Sequence, residues 1–168
     1  MNALPGFLPG VAASLAAAAL AARPLATRLC TMRPIAFALV ASVGVIASAT
    51  LTPFTGSPTP HPGSCDMTRI GPAPIQDLLR PGDVTGNVLL FVPLGVCLGL
   101  LPRSRVRTVL VAAAVAFPFA IEGTQLVLVP LNRACESADV ADNLTGLVLG
   151  GVVAVLGRMA FERRLVRR

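Results

Sequence analysis

Tryptophan, tyrosine and lysine are missing from the chain, and histidine occurs once. Without Trp and Tyr there is no aromatic belt to mark water–lipid boundaries. The lone His61 lies between Pro60 and Pro62, and with four scattered cysteines it forms no Cys/His metal spacing. It reads as a solvated loop residue, and neither a metal nor any other cofactor is called for. There is no phosphate-binding glycine loop and no nucleophile motif. Charge is also scarce: charged residues make up 13% of the chain, against about 25% in an ordinary soluble domain.

What is present is apolar. Hydrophobic residues account for 54%, and mean hydropathy is +0.76. The net charge of +6 does not point to nucleic acid, because the basic residues sit at the ends of apolar runs and form no patch with aromatics. Anionic membrane lipids are the expected counter-charge. Every one of the fourteen basic residues is Arg. With so much Ala, this predicts a GC-rich bacterial coding sequence.

A membrane-crossing helix needs about 20 mostly apolar residues. Five stretches qualify: Ala3–Ala22, Pro34–Leu51, Val84–Leu101, Thr108–Val129 and Ala138–Phe161. The expected fold is therefore all-α, a polytopic helical membrane bundle forming a single domain over residues 1–168. The first stretch is interrupted early by Pro5, Gly6, Pro9 and Gly10. It reads as an uncleaved helix rather than a signal peptide, since it lacks a positive n-region. The bland alternative lays it in the interface and leaves four spans.

Arginine sets the orientation. Eleven arginines fall in the stretches Arg23/Arg28/Arg33 and Arg103/Arg105/Arg107 and the tail from Arg158 to Arg168, with Glu162 as the only acid among them, a net of +10. Everything else holds Arg69, Arg80 and Arg133 against seven acids, a net of −4. Arg-rich short connections stay cytoplasmic. Five spans then put the N-terminus outside and the C-terminus inside, with an external loop at 52–83. Its seven prolines predict irregular chain, apart from a turn or two of helix at Ala73–Leu79.

Cys65 and Cys135 both fall in external connections, where an oxidising exterior permits a disulfide. We expect them to pair, tying the long loop to the turn before the fifth span. Cys30 reads as a cytoplasmic thiol, and Cys97 as a small apolar residue in mid-span.

Polar residues interrupt the spans near one face of the membrane. In the third span Asn87, Phe91, Gly95 and Gly99 recur every four residues and share a helical face. Gly95 and Gly99 make a small-xxx-small packing surface, and Pro93 is placed with them as a helix-packing residue. Pro93 frees the carbonyl of Leu89, and Asn87 is a candidate partner for it. The fourth span carries Glu122 and Gln125 on one face, after Pro118. A carboxylate about 10 Å deep costs a few kcal/mol unless paired or wetted, so Glu122 reads as functional. The fifth span opens with Ser137 as a candidate N-cap. Asp139, Asp142 and Asn143 then share a face that Gly146 and Gly150 continue. Singly, these residues other than Glu122 are better explained as helix-end charges and caps. Together they predict one externally open pocket, with Arg133 opposed to Glu122, Asp139 or Asp142.

Three blocks carry a resemblance: Asn87-Val-Leu-Leu-Phe91-Val-Pro93-Leu-Gly95, then Glu122-Gly-Thr-Gln125, then Arg133 followed by Asp139-Val-Ala-Asp142-Asn143-Leu-Thr-Gly146. In order and spacing they resemble the VanZ-like family of small bacterial membrane proteins, over roughly Asn87 to Gly151. The family's namesake is associated with low-level resistance to the glycopeptide teicoplanin, so the resemblance implies a role at the cell envelope.

The leading expectation is a non-enzymatic membrane protein whose pocket takes a polar headgroup, from a lipid-linked envelope precursor or an acylated glycopeptide. Arg133 would contact an anionic group, and Asn87, Gln125 and Asn143 would orient it. Glu122, Asp139 and Asp142 would complete the polar lining, and Phe91 its apolar side. The alternative is an enzyme acting on a lipid-linked substrate, with Glu122 as acid and Asp139 or Asp142 as base or as ligand to a divalent cation. A transporter with Glu122 as proton carrier is disfavoured, because no inverted repeat is visible.

Overall fold

The computed structural model describes residues 5–56 and 63–166, with side chains as far as residue 163. His61 lies outside the described residues. Among the described residues there are six α-helices: α1 (Phe7–Arg28), α2 (Arg33–Thr50), α3 (Ile75–Leu78), α4 (Asp83–Leu100), α5 (Arg105–Val127) and α6 (Ser137–Val166). Two two-residue strands, β1 (Cys65–Asp66) and β2 (Cys135–Glu136), pair in parallel, Cys65 against Cys135. Every helix but α3 is long and apolar enough to cross a membrane.

The first helix departs from expectation at both ends. Pro9 does not break it, because the first-turn N–H groups of a helix have no partner to lose. Gly10 lies inside it, with its N–H on the Gly6 carbonyl at 3.0 Å. Beyond Ala22 the helix continues through Arg23 and Pro24 to Arg28. Arginine ends an apolar run but is a good helix former, so hydropathy stops the span sooner than the backbone does. The last helix likewise passes Phe161 and reaches Val166, as nothing in Arg158–Val166 interrupts it. At 30 residues it is about 45 Å long, so it outruns a hydrocarbon core of about 30 Å. The start of α5 is fixed by Ser104, whose side chain accepts from the Arg107 N–H at 3.1 Å. Pro102 stands just beyond α4, where a helix cannot continue.

Small residues set the packing. A Cβ on Gly146 would strike the Val88 carbonyl, one on Gly150 the Val92 carbonyl, and one on Gly95 the Leu147 carbonyl; one on Gly99 would meet the Ala154 side chain. The contacts advance together along both chains, so α4 and α6 run parallel with their glycine faces interlocked. Apolar side chains gain little from leaving lipid for one another, so such close approach is what holds membrane helices together. Pro93 takes no part in this interface: it stands on the exposed face of α4, as does Leu89.

A second pair of the same kind joins α1 to α2. A Cβ on Gly10 would meet Ser48, and one on Gly44 would meet Ser14. Both serine hydroxyls donate within their own helix at 2.7 Å, to the Gly10 and Gly44 carbonyls, so nothing polar is left open at the contact.

The core centres on α4. Phe91, Leu94, Cys97, Leu98 and Leu101 pack with Leu39 and Ile46 of α2, Ala114 and Ile121 of α5, and Leu147 of α6. Connectivity puts the α2–α4 connection and the α5–α6 turn at one end of the bundle, the loop end. Arg103, Arg105, Arg107 and Arg158 gather at the other, the arginine end.

Candidate functional site

Three polar ties organise the loop end. The first is a disulfide between Cys65 and Cys135, with Cα atoms 4.6 Å apart. It clamps the long connection to the turn before α6 and sets Arg69 over the start of that helix. Arg69 forms a two-pronged pair with Asp142, Nη2 to Oδ2 at 2.6 Å and Nη1 to Oδ1 at 3.0 Å. Its Nη1 also donates to the Gly71 carbonyl at 2.7 Å. The planar fork suits a carboxylate, and Asp142 beside it holds the guanidinium above its ordinary pKa. Ser137 begins α6 but does not cap it: its hydroxyl donates to the Arg69 carbonyl at 2.8 Å.

The second tie is at Glu122. It is 5% exposed and turned inward, and one carboxylate oxygen accepts the Glu136 N–H at 2.8 Å. This fastens α5 to β2. Glu122 also borders an apolar groove of about 430 Å³ under the disulfide, with Met67, Ile70 and Phe119.

The third tie is made by Arg133; of the acids expected opposite it, Asp139 lies within electrostatic reach, and none of the three is hydrogen-bonded to it. Its Nη2 donates to the Ala49 carbonyl at 2.7 Å and its Nε to the Thr52 carbonyl at 3.3 Å, closing the end of α2. Its guanidinium lies 5.7 Å from the centre of the Phe54 ring. Those carbonyls are helix-end acceptors without intrahelical donors, and they outbid a carboxylate that Arg69 already satisfies. Burial pulls the Arg133 pKa below its ordinary value. Nearby, the Asn132 side chain donates to the Phe54 carbonyl at 3.0 Å, and Asn132 takes the left-handed conformation at φ 51°.

Between these ties opens a polar cleft of about 400 Å³. Asn87, Gln125, Arg133 and Asp139 line it, and so do Asp83 and Glu136. The Gln125 amide donates to the Thr50 carbonyl at 2.9 Å, while its Oε1 is buried with no partner. Three acidic residues thus share the cleft with one guanidinium, whose Nε and Nη2 donate to backbone carbonyls.

The expected single pocket is therefore divided. Asn87, Gln125, Arg133 and Asp139 meet in the cleft, whereas Glu122 belongs to the groove beside it. Asp142 and Asn143 are each 1% exposed and lie in the protein interior; the Asn143 Oδ1 is buried without a partner. Phe91 lies fully buried in the core, its ring 6.0 Å from that of Phe117, and does not line the cleft. A helical face places residues by azimuth but not by depth, and Phe91 is one turn too deep.

Arg69 is the residue that the sequence pattern passed over. The signal for it was indirect: it is one of three arginines outside the basic stretches, and it follows Cys65 by four positions. The disulfide, the β1–β2 pairing and the Ser137 hydrogen bond bring it to Asp142. Among the described residues, no three His, Cys, Asp or Glu side chains converge at metal-ligand spacing.

No curated protein and no solved structure matches the chain. The VanZ/LLP1 family model matches residues 26–158. That span takes in α2, α4 and α5 whole, both bonded cysteines and every residue of the loop-end ties and cleft. With five membrane-length helices and a match over most of its length, this multi-pass membrane protein belongs to the VanZ/LLP1 family.

Proposed function

We propose that this is a binding protein of the bacterial cell membrane, and that its cleft takes a headgroup rich in hydroxyl and ammonium donors. The carrying observation is the surplus of acids: Asp83, Glu136 and Asp139 line one cleft with Gln125, and the Nε and Nη2 of Arg133 are taken by the Ala49 and Thr52 carbonyls. The balance favours sugars and amines over the anion first assigned to Arg133. Lipid-linked envelope precursors and acylated glycopeptides both carry such groups, and a teicoplanin-type role fits within this reading.

The cleft is taken to face the exterior, with the N-terminus outside and the C-terminus inside. Support comes from the arginines gathered at the opposite end and from a disulfide at the loop end, which suits an oxidising compartment. Binding is preferred to catalysis because Asp142 is consumed by Arg69 and Glu122 by the Glu136 N–H.

Protein in nanodiscs, titrated with a short-chain lipid-linked amino sugar and separately with teicoplanin, tests the reading. Gln125→Leu and Asp139→Asn are each expected to weaken binding of at least one probe about tenfold, the loss of a charge-assisted hydrogen bond. Equal affinity in wild type and both variants, or no binding of either probe, overturns it.

A further inference from the structure

At the arginine end, about 24 Å along α4 from the start of the cleft wall, a second concavity opens. It has a volume of about 250 Å³ and is bounded by Arg103, Arg107, Arg158 and Glu162, with Gly99 and Met159. Arg158 is held in place by donating from Nη1 to the Gly99 carbonyl at 3.3 Å, one of the free acceptors at the end of α4. A guanidinium has five N–H donors, so most of those on Arg158 remain available. The single ion pair among the described residues is Arg69–Asp142; Glu162 neutralises none of the three arginines by direct pairing. The basin is therefore net positive and rich in forked donors, the chemistry that recognises a phosphate.

This basin runs on into an apolar groove of about 430 Å³ between α5 and α6, with which it shares Gly99, Arg107 and Val155. Val111 and Val115 form one wall, and Val148 and Val152 the other. From Arg107 to Val115 the groove follows about 12 Å of α5. Its floor includes Gly151, and a Cβ there would meet nothing within 4 Å. The helix contact does not require glycine at this position, unlike Gly146 or Gly150; the missing side chain leaves space in the groove instead.

We propose that this composite is a built site for one anionic phospholipid, its phosphate among Arg103, Arg107 and Arg158 and an acyl chain along the α5–α6 groove. The site is at the opposite end of the bundle from the headgroup cleft and does not depend on it. A cationic basin opening directly into an apolar trough matches an amphiphile with an anionic head, where scattered surface arginines would match only diffuse charge.

Native mass spectrometry of the detergent-purified protein tests this, with phosphatidylglycerol, phosphatidylcholine and the chainless probe glycerol phosphate offered separately. The expected result is one phosphatidylglycerol retained per chain at least tenfold better than phosphatidylcholine, with glycerol phosphate not retained. The triple variant Arg103→Gln/Arg107→Gln/Arg158→Gln loses that preference. Gly151→Leu, which fills the groove and leaves every charge in place, loses it as well. Should the triple variant fail to fold, Arg107→Gln and Gly151→Leu decide alone. Equal retention of the two lipids overturns the proposal. So does full retention by Gly151→Leu, which would reduce the effect to headgroup attraction, or binding of glycerol phosphate as tight as that of the lipid. Gln125→Leu leaves the lipid preference unchanged, so failure here and failure of the cleft are told apart.

Discussion

Asp142 and Arg69 show how much a single side chain can carry at the loop end. Asp142 is 1% exposed and depends on one guanidinium for its charge balance. Removing one partner of a buried pair costs about 3–5 kcal/mol, because the other charge is left stranded. Arg69→Ala is therefore expected to lower the melting temperature in detergent sharply, and Arg69→Ala/Asp142→Leu to recover part of the loss. Equal melting of wild type and Arg69→Ala would show that the pair is not stabilising. Glu122 gives a finer test. Glu122→Gln keeps an oxygen for the Glu136 N–H and is expected to melt close to wild type. Glu122→Leu orphans that N–H and is expected to cost about 1–3 kcal/mol. An intramembrane carboxylate was legible in the sequence as a costly residue with a purpose. That its partner is a backbone N–H fourteen residues away was not, because main-chain donors leave no mark in a residue pattern.

At the scale of elements, the interlocked glycines of α4 and α6 make a sharp contrast with glycines that touch nothing. Gly146→Ala drives a methyl into the Val88 carbonyl and is expected to destabilise by about 1–3 kcal/mol, the usual cost of overpacking. In α5, a Cβ on Gly123 would meet nothing within 4 Å, so Gly123→Ala is expected to be neutral or to gain up to about 1 kcal/mol of helix propensity. Thermal unfolding in one detergent compares the two; a neutral Gly146→Ala would sink the close-packing account. The spacing of Gly95, Gly99, Gly146 and Gly150 was readable as small-xxx-small faces, since a four-residue repeat is helical geometry. The matching pair Gly10/Ser14 and Gly44/Ser48 has the same spacing and went unread, hidden on α1 by the prolines and glycines that looked like breakers. Pro93 was placed with the packing face and lies on the opposite one: as a residue that removes a hydrogen bond, it is tolerated on the exposed side where neighbours do not press.

For the whole molecule, the free thiols report orientation. Cys30 is exposed at the turn between α1 and α2, while Cys97 is buried. A membrane-impermeant maleimide is expected to leave Cys30 unlabelled in intact cells and to label it after permeabilisation; labelling in intact cells would reverse the proposed topology. Cys65→Ser is expected to lower stability by about 2–4 kcal/mol, as a bridge across a long chain segment constrains the unfolded state. It should also weaken binding in the cleft, because the bridge aligns Arg69 and β2 with the rest of the loop end.

Hydropathy, arginine placement and glycine spacing are local and additive along a chain, and so the number of membrane-length helices and the small faces of α4 and α6, with an expected sidedness, could be worked out from the amino acids alone. Partner choice is neither local nor additive. Which arginine meets Asp142, which carbonyls claim Arg133, and which polar residues reach the cleft rather than the core all depend on depth and on competition among donors. Those are settled only when the disulfide and the helix contacts bring distant segments together.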